Sequence, residues 1–178
     1  MKYWIDSKDR IAHVDETWLT FAAENGAPDL TPERVCGRPL SMFVDDRTTS
    51  YLWSSLLSRA RRGPEVAVTI RCDAPTRRRT FLMHVTRDGP SELLIRSESL
   101  NEDDRETVAL LDVSTERGEG QVRVCSWCKK VFVPPDRWFE VEEAVAKLDL
   151  LLQRTPPSVT HGICAPCDKR VRAEAGLD

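Results

Sequence analysis

The chain has 178 residues, 40% hydrophobic and 31% charged, with a formal net charge of −3. That length and balance fit one medium domain or two small ones and exclude a disordered or fibrous chain. The acidic balance argues against a dedicated nucleic-acid binder, whose footprint is a basic face, and no apolar run nears the ~20 residues that span a bilayer.

Residues 1–6 lack the apolar stretch of a secretory leader, so a cytoplasmic protein is expected. In a reducing compartment its six cysteines point to metal ligands or unpaired thiols rather than disulfides. Two short strands are predicted at 3–6 and 10–14, joined by a polar turn. Asp15 is placed to cap a helix over 16–24, with Trp18, Phe21 and Ala22 on its buried face and Asn25-Gly26 as a left-handed stop. Thr31-Pro32 opens a second short helical turn, and Gly37 to Leu40 is a bend. Asp45 or Asp46 caps a longer helix running to Arg61, with Leu52, Trp53, Leu56, Leu57 and Ala60 as its apolar stripe. Three strands follow. Val66, Val68, Ile70 and Cys72 alternate in the first, Phe81, Met83 and Val85 in the second, Leu93 and Ile95 in the third. This is the pattern of an α+β domain with a half-buried antiparallel sheet.

Residues 101–121 are charged and end in Gly118-Glu119-Gly120, which marks a linker, with local packing at 107–111. Beyond it come two Cys-x-x-Cys pairs, Cys125/Cys128 and Cys164/Cys167. Two thiolates three positions apart on a tight turn can point at one centre, and two such turns complete a tetrahedron of sulfurs at about 2.3 Å from zinc. A hairpin is predicted around the first pair, closed by Pro134-Pro135-Asp136. A helix is predicted over 140–152, and a short helix from Cys167 to Ala175 would place the second pair at a helix N-terminus, where backbone N–H groups favour thiolate. The layout is treble-clef-like. One structural zinc per chain is expected on Cys125, Cys128, Cys164 and Cys167, with no open position, and His161 is expected to donate a hydrogen bond to a sulfur or a carbonyl. Lys129, Lys130, Lys169 and Arg170 either offset the charge of the zinc thiolates or are ordinary solvated surface. Cys36 and Cys72 read as small apolar core residues.

Several of these segments carry a resemblance. "WLTFAAENG" over 18–26, then "GRPLSMFVDD" over 37–46, then a helix and three strands, resembles a PAS domain. "VCSWCKKV" and "HGICAPC" resemble a cysteine-rich segment that follows PAS and other signalling domains in bacteria. The resemblance implies an α+β fold, a PAS-like antiparallel sheet with flanking helices, plus a small zinc-binding domain. The expected boundaries are 1–103, a linker over 104–120, and 121–178. It also raises haem and flavin as cofactors, and the residues argue against both. The cysteine of photochemical flavin domains has no counterpart, since Cys36 precedes Gly37. Covalent haem needs a histidine where Lys129 and Asp168 stand. The long helix has no histidine for an axial ligand, His84 falls on the outward face of its strand, and His13 reads as a polar strand residue.

No nucleophile–base pair or phosphate loop is visible, so no enzymatic activity is expected. The preferred reading is a cytoplasmic signalling or regulatory module with a structural zinc site. It would act on a protein partner, with a small ligand and a homodimer as further options and no membrane. The first alternative is a thiol/zinc redox switch. The second is a zinc-dependent nucleic-acid regulator using Arg59, Arg61 and Arg62 with Arg77, Arg78 and Arg79, although those clusters read more simply as a solvated helix end and a turn.

Overall fold

The computed structural model describes residues 1–44 and 46–177. The chain opens with an antiparallel hairpin of β1 (Lys2–Ile5) and β2 (Ile11–Val14). Helix α1 (Glu16–Glu24) starts where the Asp15 carboxylate accepts the Trp18 N–H at 2.7 Å, and Gly26 ends it with a φ of 76°. A single turn, α2 (Pro32–Val35), and a 3-10 turn at Leu40–Phe43 lead to α3 (Arg47–Arg62). Of the two expected caps, Asp46 accepts the Thr49 N–H at 2.8 Å, and Asp45 lies outside the described residues.

Strands β3 (Val66–Arg71), β4 (Arg77–Asp88) and β5 (Glu92–Asp104) form a meander. The larger sheet has five strands in the order β2-β1-β5-β4-β3, antiparallel throughout. Its alternation turns Ile5, Val66, Val68, Met83, Val85, Leu93 and Ile95 onto one face, where Leu52, Leu56 and Leu57 of α3 cover them. Burying each such side chain contributes about 1.5–3 kcal/mol.

The β4–β5 ladder is longer than its apolar residues predict. Arg77, Arg78 and Arg79 stand opposite Asp104, Asp103 and Glu102. Arg77 reaches Glu102 at 2.6 Å and Asp104 at 3.9 Å across the ladder, and opposite charges so placed stabilise it; 101–104, expected as connecting chain, is strand. Beyond it a 3-10 turn at Ala109–Leu111 buries Leu110.

The cysteine-rich part is built on a four-stranded sheet of β6 (Gln121–Cys125), β7 (Val131–Val133), β8 (Arg137–Phe139) and β9 (Ser158–Gly162), in the order β8-β7-β6-β9. β9 pairs in parallel with β6, and neither β8 nor β9 was expected. Helix α4 (Val141–Lys147) buries Val141 and Ala144 against Val122, Val124 and Val131, and Val108 and Leu110 complete this second core. The helix expected over 140–152 is shorter, because Asp149 takes a left-handed φ of 52° and stops it. Leu151 and Leu152, which fall within the range expected as helix, are 77% and 84% exposed. Helix α5 (Ala165–Ala175) ends at Gly176, whose φ is 62°.

The two parts meet along β3, an edge strand of the larger sheet. Edge strands present unpaired backbone groups that must be covered. The Arg71 N–H donates to the Trp127 carbonyl at 2.9 Å, and the Thr69 N–H to a Glu174 carboxylate oxygen of α5 at 3.0 Å. Cys125, Trp127, Cys164, Cys167, Val171 and Ala175 consequently belong to the same core as the inner face of the larger sheet. The architecture is α+β, and no described helix is long and apolar enough to cross a membrane.

Candidate metal centre

Cys125 ends β6, and the chain turns back through Ser126, Trp127 and Cys128. Lys129 closes the turn in a left-handed conformation, φ 60°, so that the Lys129 N–H reaches the Cys125 carbonyl at 3.0 Å and the Cys125 N–H the Lys130 carbonyl at 2.8 Å. Gly162, in register with Cys125 on β9, accepts the Ser126 N–H at 2.7 Å and delivers the second pair to the same place. Cys164 is the N-cap of α5 and Cys167 lies in its first turn.

The four sulfurs all lie within 4.8 Å of one another. Cys128 Sγ and Cys164 Sγ are 3.8 Å apart. A tetrahedron with metal–sulfur bonds of about 2.3 Å has edges of about 3.8 Å, so the spacing fits a zinc-sized ion. Cys125, Cys164 and Cys167 are buried and Cys128 is half-buried. The cluster could therefore hold a metal with all four of its coordination positions taken by sulfur.

The thiols do not titrate alike. Cys125 is held well below the usual thiol range, because the Cys128 and Cys167 thiols donate to it and the Cys164 N–H, 3.4 Å away, adds a backbone donor. Cys128 is pushed up to about 12, chiefly by giving its proton to Cys125, and Cys167 is raised by the same two neighbours. One sulfur is thus ready as thiolate, and the remaining protons are those a cation displaces on binding.

Of the four bases flanking the pairs, Arg170 meets a sulfur. Burial would lower its pKa, but the carboxylate of Glu174, at 2.9 Å, and the Cys167 sulfur raise it. Lys129 donates instead to the Ser126 carbonyl at 2.9 Å, and Lys130 lies 3.8 Å from Glu140. His161 lies on β9 in register with Val124, one position before Gly162, and stands outside the four-sulfur group.

Other sequence-marked residues lie away from this centre. His13 stacks on Trp4 with ring centroids 3.9 Å apart. His84 contacts Glu65 on the outer face of the larger sheet. Cys36 is half-buried, and Cys72 lines a cavity of about 310 Å³ between the inner sheet face and α1. The arginine triplet is committed internally: Arg77 pairs with Glu102 at 2.6 Å, Arg78 with Glu142 at 3.0 Å, and Arg79 turns inward to Asn25.

Sequence reasoning missed a buried ion network at the seam. Asp73, whose side chain is fully buried, contacts Arg71 and lies 3.2 Å from Arg105, while Arg71 reaches Glu140 at 2.7 Å and Arg105 lies 3.3 Å from Glu142. No local spacing announces it, since its members come from the end of β3 and the β3–β4 turn, the residue after β5, and the start of α4. It also missed that Trp127, carried inside the first cysteine pair, is buried against Trp53.

No protein-family model and no curated protein matches the sequence. A solved domain of an HTR-like protein from Haloarcula marismortui ATCC 43049 is similar to this chain at 15% identity, covering 56% of this chain and 96% of that domain with a TM-score of 0.36.

Proposed function

We propose that the chain is a regulatory module: a PAS-like sheet domain clamped to a treble-clef-like domain that a structural zinc ion holds together. Cys125, Cys128, Cys164 and Cys167 are its ligands, with His161 supporting the second pair from β9. The observation that carries this reading is the placement of the four-sulfur cluster. It sits in the core shared by the two parts, next to Trp127, with three of its four sulfurs buried. Four sulfur ligands leave no position for water, so zinc there acts as a staple and not as a Lewis acid. The module works by contact with a protein partner in bacterial signal transduction, in the cytoplasm, where its thiols stay reduced. X-ray absorption at the zinc edge tests the staple: four sulfurs near 2.3 Å support it, and a nitrogen or oxygen in the first shell overturns it.

A crevice of about 430 Å³ lined by Cys128, Cys164, Cys167 and Trp138 supports a second reading, the thiol/zinc redox switch. Oxidant reaching Cys128 through that crevice would form disulfides and eject the metal. Zinc release within seconds under dilute peroxide, followed with a chromogenic chelator, favours the switch. Retention of zinc favours the staple alone.

A further inference from the structure

Helix α4 stops at Lys147, and beyond the left-handed Asp149 the chain carries three leucines in a row, Leu150 to Leu152. Among the described residues Leu151 and Leu152 are the most exposed large apolar side chains. A single exposed leucine is ordinary, whereas a contiguous apolar patch marks a binding surface. Leu151 lines a groove of about 420 Å³, whose wall also includes Val108, Leu110, Val145 and Leu150. The same patch therefore offers a protruding apolar group and an apolar recess.

Its charges have the same double character. Glu106 and Arg154 both line the groove and both are exposed. Among the described residues neither takes part in an ion pair, with each other or with any third group. The other charged groups here are committed. Glu142, in the same lining, meets Arg78 at 3.0 Å and Arg105 at 3.3 Å, and Arg117 donates to the Leu110 and Asp112 carbonyls. A patch with a knob, a recess and one unmatched charge of each sign is its own complement. Under a two-fold axis residue i of one copy meets residue j of the other, and j meets i. A partner of one charge sign would leave Glu106 or Arg154 unmatched, and a second copy matches both.

We propose that this surface is an isologous interface between two copies of the chain. Leu151 and Leu152 of each protomer enter the groove of the other, and Glu106 of each meets Arg154 of the other. The interface lies on the cysteine-rich part and the segment leading into it, outside the PAS-like sheet. It goes beyond the regulatory reading and does not depend on it.

Sedimentation velocity on the full-length, zinc-loaded chain tests it. Twice the 20.2 kDa mass of one chain is expected at high micromolar concentration. Leu151→Ser/Leu152→Ser is expected to be monomeric with unchanged zinc content and circular dichroism, since both side chains are exposed in the folded chain. Glu106→Arg sets two cations against each other across the axis, and Arg154→Glu sets two anions. Each single variant is expected to dimerise about tenfold or more weakly than wild type. Mixing the two single variants is expected to restore the dimer, because both contacts of the mixed pair regain opposite charges. A wild-type monomer throughout the micromolar range, or a dimer that Leu151→Ser/Leu152→Ser leaves intact, overturns the proposal. So do charge variants that match the wild type or stay monomeric when mixed. A zinc-loaded wild-type monomer would leave the regulatory reading standing.

Discussion

Trp127 lies between the two cysteines of the first pair, and its ring centroid is 5.9 Å from that of Trp53 on the long helix, at an interplanar angle of 47°. The Trp127 side chain thus reaches from the metal loop into the larger domain. Trp127 is 1% exposed, while its backbone carbonyl takes the edge donor of Arg71. Trp127→Ala is expected to cost about 3–5 kcal/mol, as large-to-small core changes do. Denaturant unfolding monitored by circular dichroism checks it. Because Trp127 lies between the Cys125 and Cys128 ligands, zinc binding should weaken in the same variant. A loss under about 1 kcal/mol, with zinc affinity unchanged, would separate the two parts energetically.

Asp73 has no exposed side-chain surface and faces both Arg71 and Arg105. The pair was invisible to spacing arguments, yet it is the most buried charge at the seam. Asp73→Asn removes the buried anion the two guanidinium groups share and leaves each with one partly exposed glutamate, Arg71 with Glu140 and Arg105 with Glu142. Breaking a buried pair from one side costs about 3–5 kcal/mol. Urea unfolding of the variant should show that loss, and adding Arg105→Met should recover part of it.

Asp15 supplies one acid-sensitive element of the N-terminal domain. Burial pushes its carboxyl upward, but the Lys2 and Trp18 N–H groups and the Thr17 hydroxyl outweigh that and hold it below the usual range. A depressed carboxyl stabilises the fold above its unfolded value, near 3.9, and that share is lost as the pH falls through the folded value. Asp15→Ala should therefore cost about 1 kcal/mol at pH 7, as N-cap losses do, and the gap to wild type should close below about pH 4. Stability curves for both proteins across pH 2–7 decide it.

How much was legible follows the range of each signal. The cap Asp15, the start of α3 at Asp45 or Asp46, the apolar stripe of α3 and the two cysteine pairs are local patterns, and all were readable from spacing. β9 was not, because its five residues acquire a strand conformation only from a parallel partner more than thirty positions earlier, joined by a crossover connection. The end of α4 was misplaced because it depends on the left-handed Asp149, and leucines beyond it mimic a continued stripe. Arg79 was readable in principle. Stepping back by two from Phe81 puts it on the inner face, but three adjacent arginines read as a solvated turn.

Acid should also release the metal. Zinc needs all four sulfurs as thiolates, and Cys128 and Cys167 hold their protons tightly in its absence. Binding therefore releases protons, and affinity should fall as pH is lowered from 7 to 5. Competition with a chromogenic chelator at several pH values measures it, and a pH-independent affinity would argue against thiolate ligation.

The most direct measurement is metal content by plasma mass spectrometry on the purified chain and on the Cys164→Ser/Cys167→Ser double variant. The account predicts one zinc per wild-type chain and none in the variant, whose unfolding midpoint should also fall, since the cysteines share a core with the larger sheet. Full zinc occupancy in the double variant would contradict it.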